Sequence, residues 1–312
     1  MDKLSKIAFT LIELLVVIAI IGILSGLIVV TMNGVTAKAN IAKSQVFSNS
    51  LRNSLMMNLV SEWKFNGSGV SDGSHLTADY AKDSWGINDA TSSSSYATVL
   101  SGSNCVEGSC VQLNNGNYGY LYSSAVNLNP GTGSLTVEGW VYATDYTYPR
   151  TRFPFGDYAG SGTPCWAIDD SYYSNGIGIL FSDGTNRFDN VMALDSGYRP
   201  TNTLNKWAHI VASFDRTAGR IYIYVNGKKQ SNYADISSVT GNVYNPSNRV
   251  QVGNAAGWIL YGRVDNVRIY NIATPASFVK EQYYSGLNSL FLNGGITKEE
   301  YLSRLNDYAS NN

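Results

Sequence analysis

Charged side chains are scarce in this chain. They make up 14% of its 312 residues, the net charge is -1, and no tract of lysine or arginine would attract nucleic acid or an anionic membrane surface. Histidine is scarcer, with only His75 and His209, so neither a Ser-His-Asp nor a Cys-His arrangement is legible. His209 sits inside a strand-like run, where packing is the expected role. The three cysteines, Cys105, Cys110 and Cys165, lack the neighbouring ligands that a metal cluster needs. No proline falls within residues 9–60, so nothing there forces a helix to break.

What is present first is an apolar run. Phe9 to Val30 is 22 residues, and as a helix it spans about 33 Å, matching a bilayer core of about 30 Å. A cleaved signal peptide has a shorter apolar core, and a plain anchor needs only Leu14–Val30. Within the run the one ionisable side chain is Glu13. A carboxylate at that depth costs about 2.5–3.5 kcal/mol, which makes Glu13 a functional candidate in need of a cationic partner. Lys3 and Lys6 form a short positive leader ahead of Ala8. Gly22 and Gly26, four apart, offer a small-xxx-small face for close helix approach.

Leader, Phe9 and Glu13 together closely resemble the type IV prepilin N-terminus of pilins and type II secretion pseudopilins. The resemblance implies that a prepilin peptidase cuts between Ala8 and Phe9 and that the new amine is methylated. Glu13 would then neutralise the Phe9 amine of a neighbouring subunit in a filament. Ala8 stands where the family usually has glycine. From Thr31 to about Leu59 the pattern becomes amphipathic, with Phe47, Leu51, Leu55 and Leu59 on one stripe, so the helix is expected to continue to about residue 60. Because the following domain would lie outside the cytoplasm, a Cys105–Cys110 disulfide is permitted, worth about 2 kcal/mol through loop closure. Cys165 is left over and is expected to be buried and inert, an intermolecular link being the second reading.

Beyond residue 60 the texture is glycine- and tyrosine-rich, with 30 Gly and 22 Tyr in the chain, which favours short strands and tight turns. Ser134–Tyr142 and Trp207–Phe214 alternate as half-buried strands do. Arg220–Val225 leads through Asn226-Gly227, the strongest short hairpin signal. Many such runs argue a β-sandwich or jelly roll. After Tyr284, Thr297 followed by Glu300 fits a capping box. It predicts a short terminal helix with Ile296, Tyr301, Leu302 and Leu305 on one face.

Five blocks resemble the LamG-like jelly roll related to concanavalin A. They are Trp63-Lys-Phe65 with Asp83, Leu135-Thr-Val-Glu-Gly-Trp140, Trp207-Ala-His-Ile-Val, Tyr224-Val-Asn-Gly-Lys228, and Gly262-Arg-Val-Asp-Asn-Val-Arg-Ile-Tyr270. The resemblance implies a structural calcium ion held by Asp265, with Asp83 and Asn66 adding oxygens; strand capping or an arginine pair for Asp265 is the competing reading. It also raises glycoside hydrolysis, which needs two carboxylates facing one cleft. No Glu-x-Asp-x-Glu pattern occurs, and Asp169-Asp170 is expected in a solvated loop, so the chain is expected not to be an enzyme. Tyr146, Tyr148, Trp166, Tyr172 and Tyr173 cluster in the irregular region Asp145–Asn175. They are candidate glycan contacts, although packing explains such clusters equally well.

The expected fold class is mainly β. A long N-terminal α-helix, transmembrane then amphipathic, precedes a concanavalin A-like/LamG β-sandwich jelly roll and a short C-terminal helix. The expected divisions are a leader (1–8), pilin helix (9–60, with 9–30 in the membrane), jelly roll (61–286) and helical tail (287–312). The expected function is a type IV pilin-like filament subunit displaying an adhesive lectin domain. It would sit in the cytoplasmic membrane with its C-terminal domain outside, then in a surface pilus. The expected partners are other pilin subunits, the peptidase, and glycans or surface proteins, with no nucleic acid. A minor pseudopilin and a membrane-anchored glycan-binding protein are the alternatives; a polysaccharide hydrolase ranks last.

Overall fold

The computed structural model describes residues 11–22, 50, 53, 55–67, 71–76, 81–93, 97–113, 119–124, 128–145, 150–151, 155–157, 163–171, 176–198, 200–244, 249–255 and 258–309. The chain divides into two units, residues 1–54 and 55–312. In the first, residues 11–22 are helical (α1) with exposed side chains, Glu13 among them. A methyl group added at Gly22 would meet nothing within 4 Å. Among the described residues, no helix is long and apolar enough to cross a membrane. Ala8, Phe9, Gly26, Phe47 and Leu51 lie outside the described residues.

The second unit is mainly β. Its strands are β1 (Leu59–Trp63), β2 (Thr91–Ser92), β3 (Thr98–Ser101), β4 (Ser109–Leu113), β5 (Leu121–Ser124) and β6 (Leu135–Ala143). Then come β7 (Arg150–Thr151), β8 (Phe155–Asp157), β9 (Pro164–Ser171), β10 (Gly176–Asp183), β11 (Arg187–Ala193) and β12 (Trp207–Asp215). The last are β13 (Arg220–Val225), β14 (Lys228–Asp235), β15 (Arg249–Val252), β16 (Asn254–Ala255), β17 (Trp258–Leu260) and β18 (Gly262–Tyr270), followed by helices α2 (Ala276–Leu292) and α3 (Lys298–Ala309). The larger sheet has the order β14-β13-β12-β6-β18-β4-β3, with β1 also paired to β18. The smaller sheet runs β11-β10-β9-β8-β15-β5-β2, and β16-β17-β7 form a short third one.

Alternation explains how the layers pack. On the larger sheet Val137, Val141, Ile210, Phe214 and Val267 enter the core, where they meet Trp166, Ile168, Ile179 and Phe181 of the smaller sheet. Trp166 meets Phe214 edge-on at 6.0 Å and Phe181 lies 5.3 Å from Phe214, both measured between ring centroids. The intervening residues of the larger sheet face the other way, towards α2. Tyr283 of α2 stacks on Trp140 at 5.7 Å, and Phe278 meets Tyr270 edge-on at 5.5 Å. Tyr301 of α3 stacks on Phe291 of α2. The middle of this sheet is therefore covered on both faces, and polar side chains on its outer face there, Glu138 and His209 among them, are buried too.

Several details depart from the sequence-based expectation. The helix does not reach Leu59: a turn at Met57–Asn58 ends it, and Leu59 already pairs with Tyr270 in β1. The Asp145–Asn175 region is not wholly irregular, since β7, β8 and β9 lie in it. Asp169 and Asp170 are on β9, opposite Gly178 and Ile177, rather than in a solvated loop. The 17-residue helix α2 was not foreseen, although Phe278, Val279, Tyr283, Leu287 and Leu290 recur at helical spacing and are buried. Leu302 is exposed, whereas Ile296, Tyr301 and Leu305 pack inward. The hairpin and capping box match expectation. Asn226 and Gly227 both have positive φ, 52° and 76°, and the Glu300 N–H donates to Thr297 Oγ1.

Gly286 sets how closely α2 approaches the sheet. A methyl there would lie 2.5 Å from Nε1 of Trp140. Glycine-to-alanine in a helix normally stabilises by about 0.5–1 kcal/mol, but this contact forces the helix off the ring. Gly286→Ala is expected to lower unfolding free energy by about 1–3 kcal/mol. Ser285→Ala, on the exposed side of the same turn, is expected to change it by less than about 0.5 kcal/mol. Urea denaturation of the two variants checks the contrast.

Candidate functional site

Beneath α2 the outer face of the larger sheet holds a buried polar network. β6 contributes Glu138, β12 His209, and β18 Arg268 and Tyr270; β1 adds Glu62. Arg268 donates from Nε to Glu62 Oε1 at 2.6 Å and from Nη1 to Glu138 Oε1 at 3.1 Å. It also reaches Gln282 of α2 at 3.2 Å. The Tyr270 hydroxyl donates to Glu138 Oε1 at 3.0 Å, and His209 Nε2 lies 3.6 Å from Glu138 Oε2. His209 is 1% exposed beside the stacked Trp140 and Tyr283 rings, the packing role expected of it. Burial raises the pKa of Glu138, but His209 nearby and the charge of Arg268 outweigh it and hold the carboxyl low. Burial likewise acts on Glu62, and Arg268 again prevails. These two glutamates share one guanidinium under a helix, which closes them to any substrate.

At the next bulge of β18, Asp265 is buried under the disulfide loop. Its Oδ2 accepts the N–H groups of Val106 and Glu107 at 2.9 and 3.0 Å, and these residues lie within the Cys105–Cys110 bridge. Asn66 braces the same loop, its Oδ1 accepting the Ser109 N–H at 2.7 Å. Among the described residues, none donates a hydrogen bond to Oδ1 of Asp265 or Oδ1 of Asn266, both buried. Burial pushes the Asp265 carboxyl well above its ordinary pKa despite its backbone bonds. Two buried acceptor oxygens on neighbouring residues, one of them a carboxylate, are the donor chemistry of a hard cation. Asp265 and Asn266 could therefore hold calcium; Asn266 was not foreseen.

Asp83 does not join them. Its oxygens accept six donor groups, from Ser61, Glu62, Trp85, Gly86 and twice from Asn88. Burial raises its pKa, but the Glu62, Gly86 and Trp85 N–H groups hold it low. Asp83 thus shapes the 83–88 loop, where Trp85 and Ile87 point outward, instead of offering oxygens to a metal. Among the described residues there is no group of three or more His, Cys, Asp or Glu poised around one ion.

The aromatic candidates fare differently. Trp166 is 0% exposed in the sandwich core, packed on Phe155 and Phe214, and so is not a ligand contact. Its β9 neighbours alternate, so the indole falls on the inner face while Cys165 and Ala167 fall on the outer one. Cys165 is buried and outside any disulfide. Tyr146, Tyr148, Tyr172 and Tyr173 lie outside the described residues. A polar cleft of about 650 Å3 opens elsewhere, between the 195–207 segment, the Asn226–Lys228 turn and α3.

Comparison with known proteins agrees with this architecture. The model of the concanavalin A-like lectin/glucanases superfamily matches residues 115–280, and that of the prokaryotic N-terminal methylation motif matches residues 5–29. Among solved structures, the binding domain of Paraclostridial Mosquitocidal Protein 1 is similar at 15% identity and a TM-score of 0.55, over 75% of this chain and 53% of that one. A structure described as a receptor binding domain is similar at 14% identity and a TM-score of 0.53, over 76% and 53%. The match thus spans about half of each of those chains, and at such identities the likeness is one of fold. No curated protein matches this chain.

Removing the shared cation should expose its weight. Arg268→Gln leaves Glu62 and Glu138 buried, and a loss of about 3–5 kcal/mol is expected. The sign with pH follows from the lowered carboxyl pKa values. In the parent protein these groups contribute stability that is complete above their unfolded pKa, 4.5, and is lost as pH falls through the folded values. In the variant the carboxyls protonate without that loss. Urea denaturation is expected to show a deficit largest above about pH 5 and smaller towards about pH 3.

Proposed function

This chain belongs to the concanavalin A-like lectin/glucanases superfamily, and from that premise, with its prokaryotic N-terminal methylation motif, we propose that it is a pilin-like filament subunit displaying a non-catalytic lectin-type domain at the cell surface. The observation that carries this reading is Glu13, the one carboxylate of the apolar run, inside the matched motif. In the membrane, residues 9–30 anchor the chain with the sandwich outside. After cleavage between Ala8 and Phe9, Glu13 pairs with the Phe9 amine of the next subunit, so that opposite charges neutralise each other in the apolar filament core. The sandwich then serves adhesion, to glycans or to surface proteins. The binding-domain neighbours support this reading at the level of fold, as does a glutamate pair sealed by Arg268. A calcium ion held by Asp265 and Asn266 would brace the disulfide loop, and so the domain.

Intact and N-terminal mass spectrometry on material sheared from cells tests the assembly. Chains starting at methylated Phe9 are expected in the sheared fraction, and Glu13→Leu is expected to abolish filament incorporation while leaving cleaved protein in the membrane. Chains starting at Met1 and confined to membranes would instead identify a tethered surface domain. The calcium reading has its own measurement. Burial raises the Asp265 pKa above its unfolded value of 3.8. The metal-free domain therefore loses stability as pH rises through the folded value. A cation that keeps the carboxylate ionised offsets that loss. Calcium is expected to raise the melting temperature more at about pH 7 than at about pH 4, and Asp265→Asn should erase the difference. An unchanged melt in chelator, with no calcium by elemental analysis, would overturn this part.

A further inference from the structure

We propose that the cleft between the 195–207 segment and α3 is a subsite for a sugar residue carrying a carboxylate. The inference rests on the glycan-binding reading above and gives it a place and a ligand class. The cleft, about 650 Å3, falls within the range of small-ligand sites.

Its walls are fixed before any ligand arrives. The Asp195 N–H donates to Gln230 Oε1 at 3.0 Å, and its carboxylate accepts the N–H and hydroxyl of Ser231, tying the segment to β14. Asn202 Nδ2 donates to the Ser196 carbonyl at 2.8 Å. Across the cleft, Arg304 donates to the Trp207 carbonyl at 2.8 Å and to Glu300 Oε1 from both Nε and Nη2. Prearranged walls reduce the ordering cost of binding.

The charges that remain select the ligand. Asp195 and Glu300 are committed to Ser231 and Arg304, and Asp307 has interactions of its own. Lys206 and Lys228 also line the cleft. Among the described residues no carboxylate lies within ion-pair distance of either ammonium. The Lys228 ammonium lies over the Tyr198 ring, 5.7 Å from its centroid, so a cation and an aromatic ring share one wall. Amides and hydroxyls supply the rest of the lining, as a polyhydroxylated ring requires. A neutral sugar would use the ring and the amides but leave both ammoniums unanswered. A uronic or sialic acid residue would answer them with a charge-assisted hydrogen bond.

The test is calorimetric titration of the full chain in detergent micelles with three probes: sialyllactose, a glucuronate-containing hyaluronan tetrasaccharide, and lactose. Binding of an acidic probe, weaker in high salt and at least about tenfold weaker in Lys206→Glu/Lys228→Glu, is expected, with lactose at least about tenfold weaker than sialyllactose. Lys206→Glu alone, an exposed substitution that leaves the hairpin untouched, should show part of the loss at an unchanged melting temperature. Acidic probes that bind parent and variants equally, or lactose binding as well as sialyllactose, would overturn the subsite and leave the glycan reading standing. If none of the three binds and a broad array of neutral and acidic glycans is also silent, the glycan reading itself falls.

Discussion

The guanidinium of Arg268 is the constraint on which the second unit depends. It stands on the strand at the centre of the larger sheet and holds one carboxylate from the first strand and one from β6. Without it Glu138 would be a charge stranded in a low-dielectric layer, and Glu62 would keep only the half-exposed Lys64 ammonium 3.7 Å away. The need for that layer comes from α2, which covers the outer face to bury Trp140, Phe278 and Tyr283. Apolar packing and ion pairing are thus mutually dependent here. The helix removes water from the carboxylates, and the arginine makes that removal tolerable.

From this arrangement the division of labour across the domain follows. The inner face of the larger sheet makes the sandwich core, and α2 and α3 cover the outer face over Trp140, Trp207 and Tyr270, so a ligand reaches neither of those parts. Three places at the ends and margins contact the outside in a fixed form: the Cys105–Cys110 loop over Asp265, the 83–88 loop gathered round Asp83, and the cleft beside α3. Each is held by backbone N–H groups donating to a side-chain oxygen, an arrangement that fixes a loop without enlarging the core.

Legibility in the sequence tracked the range of the interaction. Strands β6, β12 and β13 could be read because alternation is local, β18 through its resemblance to a family block, and the Asn226-Gly227 turn because its φ demand is local. The disulfide joins cysteines five residues apart and was legible for the same reason. Helix α2 was missed although its apolar spacing is helical. Pro275 precedes it without a side-chain cap, no acidic residue marks its first turn, and Gly286 interrupts its middle. Trp166 was misplaced because Pro164 and the Asp169-Asp170 pair make a core strand look like a loop. The partners of Arg268 lie 206 and 130 residues away in sequence. Only the pairing register, Arg268 opposite Glu62 and Glu138, brings them together. The Asp265–Asn266 pair was half legible: the aspartate belongs to a recognisable block, whereas the asparagine matters because a bulge turns it inward.

The place of β18 in the sheet has a consequence for how the molecule is made. This strand lies between β6 and β4 and also receives β1, yet it is the last strand to leave the ribosome. Until residue 270 has been synthesised, β1 lacks the neighbour with which it pairs, and Glu62 and Glu138 lack the arginine they share. At ordinary elongation rates of about 5–20 residues per second, that interval is roughly 10–40 seconds after β1 appears. The contacts that close the sheet are among the most distant in the sequence, which makes closure slow for entropic reasons. The nascent domain therefore passes a long interval with unpaired strand edges, when a holding chaperone has most to protect.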